Sequence, residues 1–135
     1  MAERILIVDD EDHVLLYLST LLQDHGYDVI SEGDPVKAFD VAKKEQPDLI
    51  CLDIMMPRKS GVSLYKEFRR DDTLKNTPIA IISGVGSIAY GFKRDFRKHL
   101  PDRNIPEPEA FFEKPIDVPV FVKFLESIFS RKDHE

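Results

Sequence analysis

The chain has 135 residues, 42% hydrophobic and 33% charged, with a net charge of -6. That is long enough to bury one core, and neither basic enough for a nucleic-acid footprint nor charged enough for disorder. A single cysteine, Cys51, excludes an internal disulfide.

Apolar runs of strand length alternate with helical patterns five times along the chain. Residues 4–8, with Ile5-Leu6-Ile7-Val8, read as a buried strand. Residues 12–25 place Val14, Leu15, Leu18, Leu21 and Leu22 on one helical face, and Gly26 follows as a residue free to take positive φ. Residues 28–32 are shorter of apolar groups, as suits an edge strand. Asp34 then reads as an N-cap with Pro35 at the first helical position, opening a helix that runs to about residue 45 and is stopped by Pro47. Residues 48–52 form a near-continuous apolar run typical of a central parallel strand, and Cys51 within it reads as a packed thiol. A third helix over 60–71 carries Val62, Leu64, Tyr65 and Phe68, and a fourth strand covers 78–82. Ile88, Phe92, Phe96 and Leu100 recur at four-residue spacing on a fourth helix near 87–100. Pro101, Pro106 and Pro108 break that helix, so residues 100–109 are expected as an exposed loop. A short fifth strand at about 110–113 precedes Asp117, which caps a final helix lined by Phe121, Phe124, Leu125, Ile128 and Phe129. This is a (βα)5 pattern, an α/β fold with a doubly wound, five-stranded parallel sheet and helices on both faces. One domain over 1–135 is expected, with no linker or repeat. No uncharged stretch approaches membrane-spanning length, and the N-terminus runs directly into a strand without room for a signal peptide, so a cytoplasmic protein is expected.

Five side chains stand at the ends of these runs: Asp9 and Asp10, Asp53, Ser83 and Lys114. In a parallel α/β sheet the strand C-termini share one edge, where ligands bind. Three carboxylates there repel one another, so either their pKa values rise or a cation joins them. Oxygen ligands in an open site suit Mg²⁺ better than an enclosed calcium cage. His13 follows the acids but lies on the helix, and a solvated or packed histidine is the expected role. A phosphoryl group needs positive charge and donors around its oxygens as it transfers. Mg²⁺, the Lys114 ammonium and the Ser83 hydroxyl would supply them, leaving Asp53 as a nucleophile able to form an acyl phosphate.

Ile-Leu-Ile-Val-Asp9-Asp10, Asp53-Ile-Met-Met-Pro57 with Gly61 following, Ile-Ile-Ser83-Gly84 and Phe111-Phe112-Glu113-Lys114-Pro115, in this order and spacing, strongly resemble the receiver domain of two-component response regulators of the chemotaxis-regulator type. The resemblance implies a flavodoxin-like fold of strand order 2-1-3-4-5 and phosphorelay signalling. Asp53 would accept a phosphoryl group from a phosphohistidine on a sensor histidine kinase or histidine phosphotransfer protein. It also implies Mg²⁺, or Mn²⁺ in its place, held by the Asp10 and Asp53 side chains and the Met55 backbone carbonyl, with Asp9 acting through a water. Lys114 would pair with the phosphoryl group, and the Lys114–Pro115 bond would be cis. Ser83 and Phe111 would move on phosphorylation and alter the face of helix 4, strand 5 and helix 5 for a downstream partner, as a monomer or a phosphorylation-dependent dimer. No nucleic-acid or membrane contact is implied. In this family's sense the protein catalyses only its own phosphorylation and dephosphorylation.

The chain departs from the usual pattern at several places. Ser83 stands for the commoner Thr, Gly84 for Ala, and Phe111 for a frequent Tyr. Met55 and Val85 are apolar where polar residues are common, which would position attacking water poorly; a slowly hydrolysing phospho-Asp53 is expected, with faster decay in Met55→Asn. The stretch from Ser83 to Lys114 is longer than usual, with an extended segment at about 87–109, and carries Lys93, Arg94, Arg97, Lys98 and His99. That cluster reads as a solvated helix face or as a docking surface for an acidic partner. Alternatives in other classes are an unphosphorylated interaction domain on the same fold and a Mg²⁺-dependent aspartyl phosphatase resembling the haloacid dehalogenase group. The phosphatase would want a second Asp where Met55 stands. A flavin-binding protein of this topology is disfavoured by the acidic first loop.

Overall fold

A computed structural model describes residues 2–84 and 96–133, with side chains to residue 130. Five strands form one parallel sheet: β1 (Arg4–Val8), β2 (Asp28–Glu32), β3 (Leu49–Asp53), β4 (Ile79–Ser83) and β5 (Ala110–Glu113). Their order is β2-β1-β3-β4-β5, as the resemblance implied. Helices α1 (Asp12–Asp24), α2 (Ala38–Glu45), α3 (Gly61–Arg70), α4 (Phe96–His99) and α5 (Val118–Asp133) complete the described elements.

Alternate strand residues point to opposite faces, and both faces are covered. Leu6, Val8, Ile50, Leu52, Ile79 and Ile81 pack with Leu64, Tyr65 and Phe68 of α3. Ile5, Ile7, Leu49, Cys51, Ala80 and Ile82 pack with Leu18 and Leu22 of α1 and with Phe121 and Leu125 of α5. Two-sided burial is why these strands read as unbroken apolar runs rather than alternating ones. The edge strand β2 is covered less completely: Ile30 and Val29 pack against the two clusters, but each of its residues stays half-buried or exposed.

Gly26 takes φ +88, and its N–H closes α1 on Gln23 O at 3.0 Å. Ser60 caps α3 by accepting from the Ser63 N–H at 3.1 Å. Asp117 caps α5 through the Val120 N–H at 3.3 Å.

Several expectations shift. The helix read from Asp34 begins only at Ala38. Asp34 Oδ1 does accept from the Val36 N–H at 2.9 Å, but its backbone carbonyl takes Lys37 N at 3.0 Å, so residues 35–37 close a separate turn before the helix starts. Strands β3 and β4 each run one residue later than expected, because Asp53 and Ser83 are themselves ladder residues, paired with Ile82 and Glu113.

The segment at 100–109 is not simply an exposed loop. Leu100, Ile105 and Pro108 are buried. Tyr65 Oη donates to Pro106 O, and Arg97 Nη1 donates to Asp102 O at 3.2 Å and Ile105 O at 2.8 Å. Prolines removed regular pairing, but side chains from α3 and α4 supply partners for the loop's carbonyls instead. Val85, Ile88, Phe92, Lys93 and Arg94 lie outside the described residues.

Candidate functional site

The register of the sheet brings the strand ends together. β1 delivers Asp9 and Asp10 beside β3, β3 ends in Asp53, β4 ends in Ser83, and β5 leads directly to Lys114. Asp9, Asp10 and Asp53 each offer a carboxylate oxygen within 4.8 Å of the others. Asp9 and Asp53 are buried and Asp10 is exposed. Three converging hard oxygen donors, one of them open to solvent, suit a divalent cation that keeps waters.

Lys114 reaches into this cluster. Its Nζ lies 2.7 Å from Asp9 Oδ2, 3.3 Å from Glu11 Oε1 and 3.9 Å from Asp53 Oδ2. The Lys114–Pro115 peptide is cis, and Lys114 N donates to Ser83 O at 2.8 Å, tying the lysine's backbone to the end of β4. Asp9 is held from both sides: its Oδ1 accepts from the Glu11 N–H at 2.9 Å. Asp53 Oδ1 accepts from the Met55 N–H at 3.2 Å.

Burial first, then the charge of Asp9, pushes the Asp53 carboxyl up from 3.8 to about 7; Lys114 and the Met55 N–H oppose this, and Asp10 adds to it. For Lys114, burial pulls the ammonium down, but Asp9, Asp53 and Glu11 outweigh it and its pKa is raised. The site therefore holds more negative charge than one lysine balances. Ser83 Oγ, wholly buried at the end of β4, has no hydrogen-bond partner among the described residues. A hydroxyl left unpaired in the interior is costly, and an oxygen-rich ligand at this edge would relieve it.

Gly61 sets the backbone behind the site. A Cβ there would lie 2.3 Å from Asp53 O and 2.5 Å from Ile54 Cα, and Gly61 N donates to Ile54 O at 2.9 Å. The start of α3 thus rests directly on the peptide that carries Asp53. Gly84 is different, since among the described residues a Cβ would meet only the Lys114 side chain, at 3.6 Å.

A groove of about 490 Å³ opens alongside, between α1 and the connection from β5 to α5. Val14, Tyr17, Leu18, Ile82, Pro115 and Ile116 form its apolar wall, and Glu11 and Lys114 also line it.

Residues 5–94 match the response regulator receiver domain. The chain belongs to that family. It is 30% identical over 129 residues to the polar-differentiation response regulator DivK of Brucella anthropi, covering 94% of this chain and 96% of DivK. Among solved structures, the Vibrio cholerae chemotaxis protein CheY4 superposes with a TM-score of 0.79 at 26% identity, over 95% of this chain and 99% of CheY4. A putative response regulator from Chloroflexus aurantiacus gives 0.81 at 25% identity, over 96% of this chain and 99% of its own.

Of the five residues singled out from the strand ends of this receiver, Asp9, Asp10 and Asp53 form one carboxylate group, Lys114 reaches into it, and Ser83 ends the strand beside Asp53. Met55 is 52% exposed beside Asp53. Phe111 is half-buried against the cluster that includes Val8, Ile81 and Phe96. His13 lies outside the carboxylate group, exposed, with Nε2 3.4 Å from Glu11 Oε2. Glu11 was missed. Only its place directly after Asp9-Asp10 could have flagged it, because its approach to Lys114 joins residues 103 apart. Among the described residues no helix is long and apolar enough to cross a membrane.

Proposed function

We propose that this receiver is a phosphoacceptor switch in two-component signalling, in which Asp53 takes a phosphoryl group from a phosphohistidine of a histidine kinase or histidine phosphotransfer protein. The observation that carries it is a buried carboxylate, 3% exposed, set between two more acids and a lysine at the strand ends. The Asp10 and Asp53 carboxylates and the Met55 backbone carbonyl would hold Mg²⁺, with Mn²⁺ as a substitute and Asp9 joined through water. The donor set fits such an ion: hard, oxygen-only and short of positive charge. When bound, the cation supplies charge neutralisation for the phosphoryl oxygens.

The chain's own residues do the rest. An Asp53 oxygen forms a bond to phosphorus as the P–N bond breaks, and that bond's electron pair returns to the imidazole. Lys114 turns its ammonium from Asp9 and Glu11 to a phosphoryl oxygen. The Ser83 hydroxyl donates to another, and Phe111 repacks beside β4 and β5. This changes the surface of α4, β5 and α5 that a downstream protein reads. Met55 offers no group to orient attacking water, so the acyl phosphate is long-lived. The protein acts on no substrate other than its own aspartyl group, and it works in the cytoplasm. Phosphatase chemistry of the haloacid dehalogenase kind is disfavoured because Met55 occupies the position of its general acid.

Incubation with a small phosphodonor and Mg²⁺, followed by intact-mass measurement, tests this reading. One phosphoryl group should appear in the wild type and none in Asp53→Asn. Equal uptake by both proteins refutes the assignment.

A further inference from the structure

Among the described residues the Lys114 ammonium is shared by three carboxylates, and one of them has no place in the acid cluster. Asp9 and Asp53 belong to the group that could hold a cation; Glu11 does not. Yet Glu11 Oε1 lies nearer to Lys114 Nζ, at 3.3 Å, than Asp53 Oδ2 does, at 3.9 Å. Two contacts keep Glu11 there. Its N–H donates to Asp9 Oδ1 at 2.9 Å, which fixes its backbone to the cluster. Its other oxygen lies 3.4 Å from His13 Nε2, so the carboxylate is held between two nitrogen groups. Glu11 and Lys114 both line the groove beside α1, which leaves the lysine open space on the side away from Asp53.

We propose that Glu11 is a positioning residue that restrains Lys114 on the α1 side of the site, so that phosphoryl transfer to Asp53 must first break the Glu11–Lys114 pair. This rests on the phosphoacceptor reading. Asp9 also holds the lysine, but as a cluster carboxylate its charge is answered when a cation binds. Glu11 remains a competitor for the ammonium at that point. The side chain of Glu11 is 46% exposed, and a pair this open to water changes an equilibrium by about two- to fivefold. The effect is therefore a brake on phosphoryl uptake, not a block.

The test uses the full chain with phosphoramidate and Mg²⁺, timing phosphoryl uptake by intact mass. Asp53 oxygen bonds to phosphorus as the P–N bond breaks, and ammonia leaves with the electron pair. Glu11→Gln should take up phosphoryl about two- to fivefold faster than the wild type at low salt, with the gain shrinking as ions screen the pair. In a Lys114→Gln background the same change should do nothing, because Glu11 acts through the lysine. Simple repulsion of an anionic donor by Glu11 would instead give the same acceleration in both backgrounds, and that result overturns the proposal.

Where Lys114→Gln reacts too slowly to time, Glu11→Asp decides. It keeps the charge but shortens the reach, so it should be fast like Glu11→Gln; a wild-type rate overturns the proposal. A readout independent of phosphorylation is the Lys114 ammonium resonance in metal-free protein. Its hydrogen exchange with solvent should quicken in Glu11→Gln, and unchanged exchange counts against the pair. Wild-type protein that takes up no phosphoryl group, while exchange quickens as expected, overturns the phosphoacceptor reading and the brake with it, yet leaves the ion pair standing.

Discussion

Asp53→Asn should make the metal-free protein more stable, and the gain should depend on pH in a defined way. The Asp53 carboxyl, buried beside Asp9, is raised from 3.8 to about 7 in the folded state. Below about pH 4 it is protonated in folded and unfolded chains alike and contributes nothing. Between the two values the unfolded chain gives up its proton while the folded chain keeps it, so stability falls as pH rises. Above about pH 7 the loss is complete. Each pH unit across that window is worth about 1.4 kcal/mol, which puts the full penalty on the order of 4 kcal/mol. Asparagine keeps an oxygen for the Met55 N–H and removes the charge, so it should recover about 2–4 kcal/mol at about pH 8. Urea unfolding of both proteins in a chelator, from about pH 4.5 to about pH 8, measures the difference. The gap should widen with pH, level off near pH 7, and narrow when Mg²⁺ is added to the wild type, whose carboxylates the ion would stabilise. A gap that is flat across the range, or a variant no more stable than the wild type at the alkaline end, refutes the electrostatic account of this site.

Gly61→Ala should destabilise the fold by about 1–3 kcal/mol or more and depress phosphoryl uptake, because the new methyl meets the Asp53 and Ile54 backbone. Gly84→Ala, whose new methyl among the described residues meets only the Lys114 side chain in ordinary contact, should stay within about 1 kcal/mol of the wild type in the same urea titration. Arg69→Ala should cost about 3–5 kcal/mol. It strips a buried guanidinium from Glu109 Oε1 at 2.8 Å, Thr77 O at 2.9 Å, Lys75 O at 3.1 Å and Tyr65 Oη at 3.0 Å; a loss under about 1 kcal/mol in urea would refute that role. Cys51, buried and with its thiol pushed up to about 12, should resist a thiol reagent in the native protein and react at once in denaturant. Rapid native labelling would show that β3 opens.

Much of the architecture was legible because both sheet faces are covered. Ile5 through Val8, Leu49 through Leu52 and Ile79 through Ile82 are apolar without interruption, and each run ends where a polar side chain meets the sheet edge. A parallel sheet puts such ends side by side, so Asp9, Asp53, Ser83 and Lys114 could be placed together without coordinates. Local rules were weaker where two arrangements satisfy the same groups. Asp34 caps a turn as readily as a helix, and proline-rich residues 100–109 are held by Tyr65 and Arg97 rather than by a ladder.

Periodicity in the chain thus determined the element order, the buried faces and the edge at which the acids, the hydroxyl and the amine assemble, since each follows from which residues avoid water. The tertiary structure alone decided that Lys114 leans toward Asp9 and Glu11, that Asp53 carries the raised pKa, and that Arg69 finds Glu109 across 40 residues. Those outcomes depend on distances of a few ångströms between side chains from different strands and loops. Electrostatic energy changes steeply over that range, while a hydrophobic pattern records only whether a residue is inside or out.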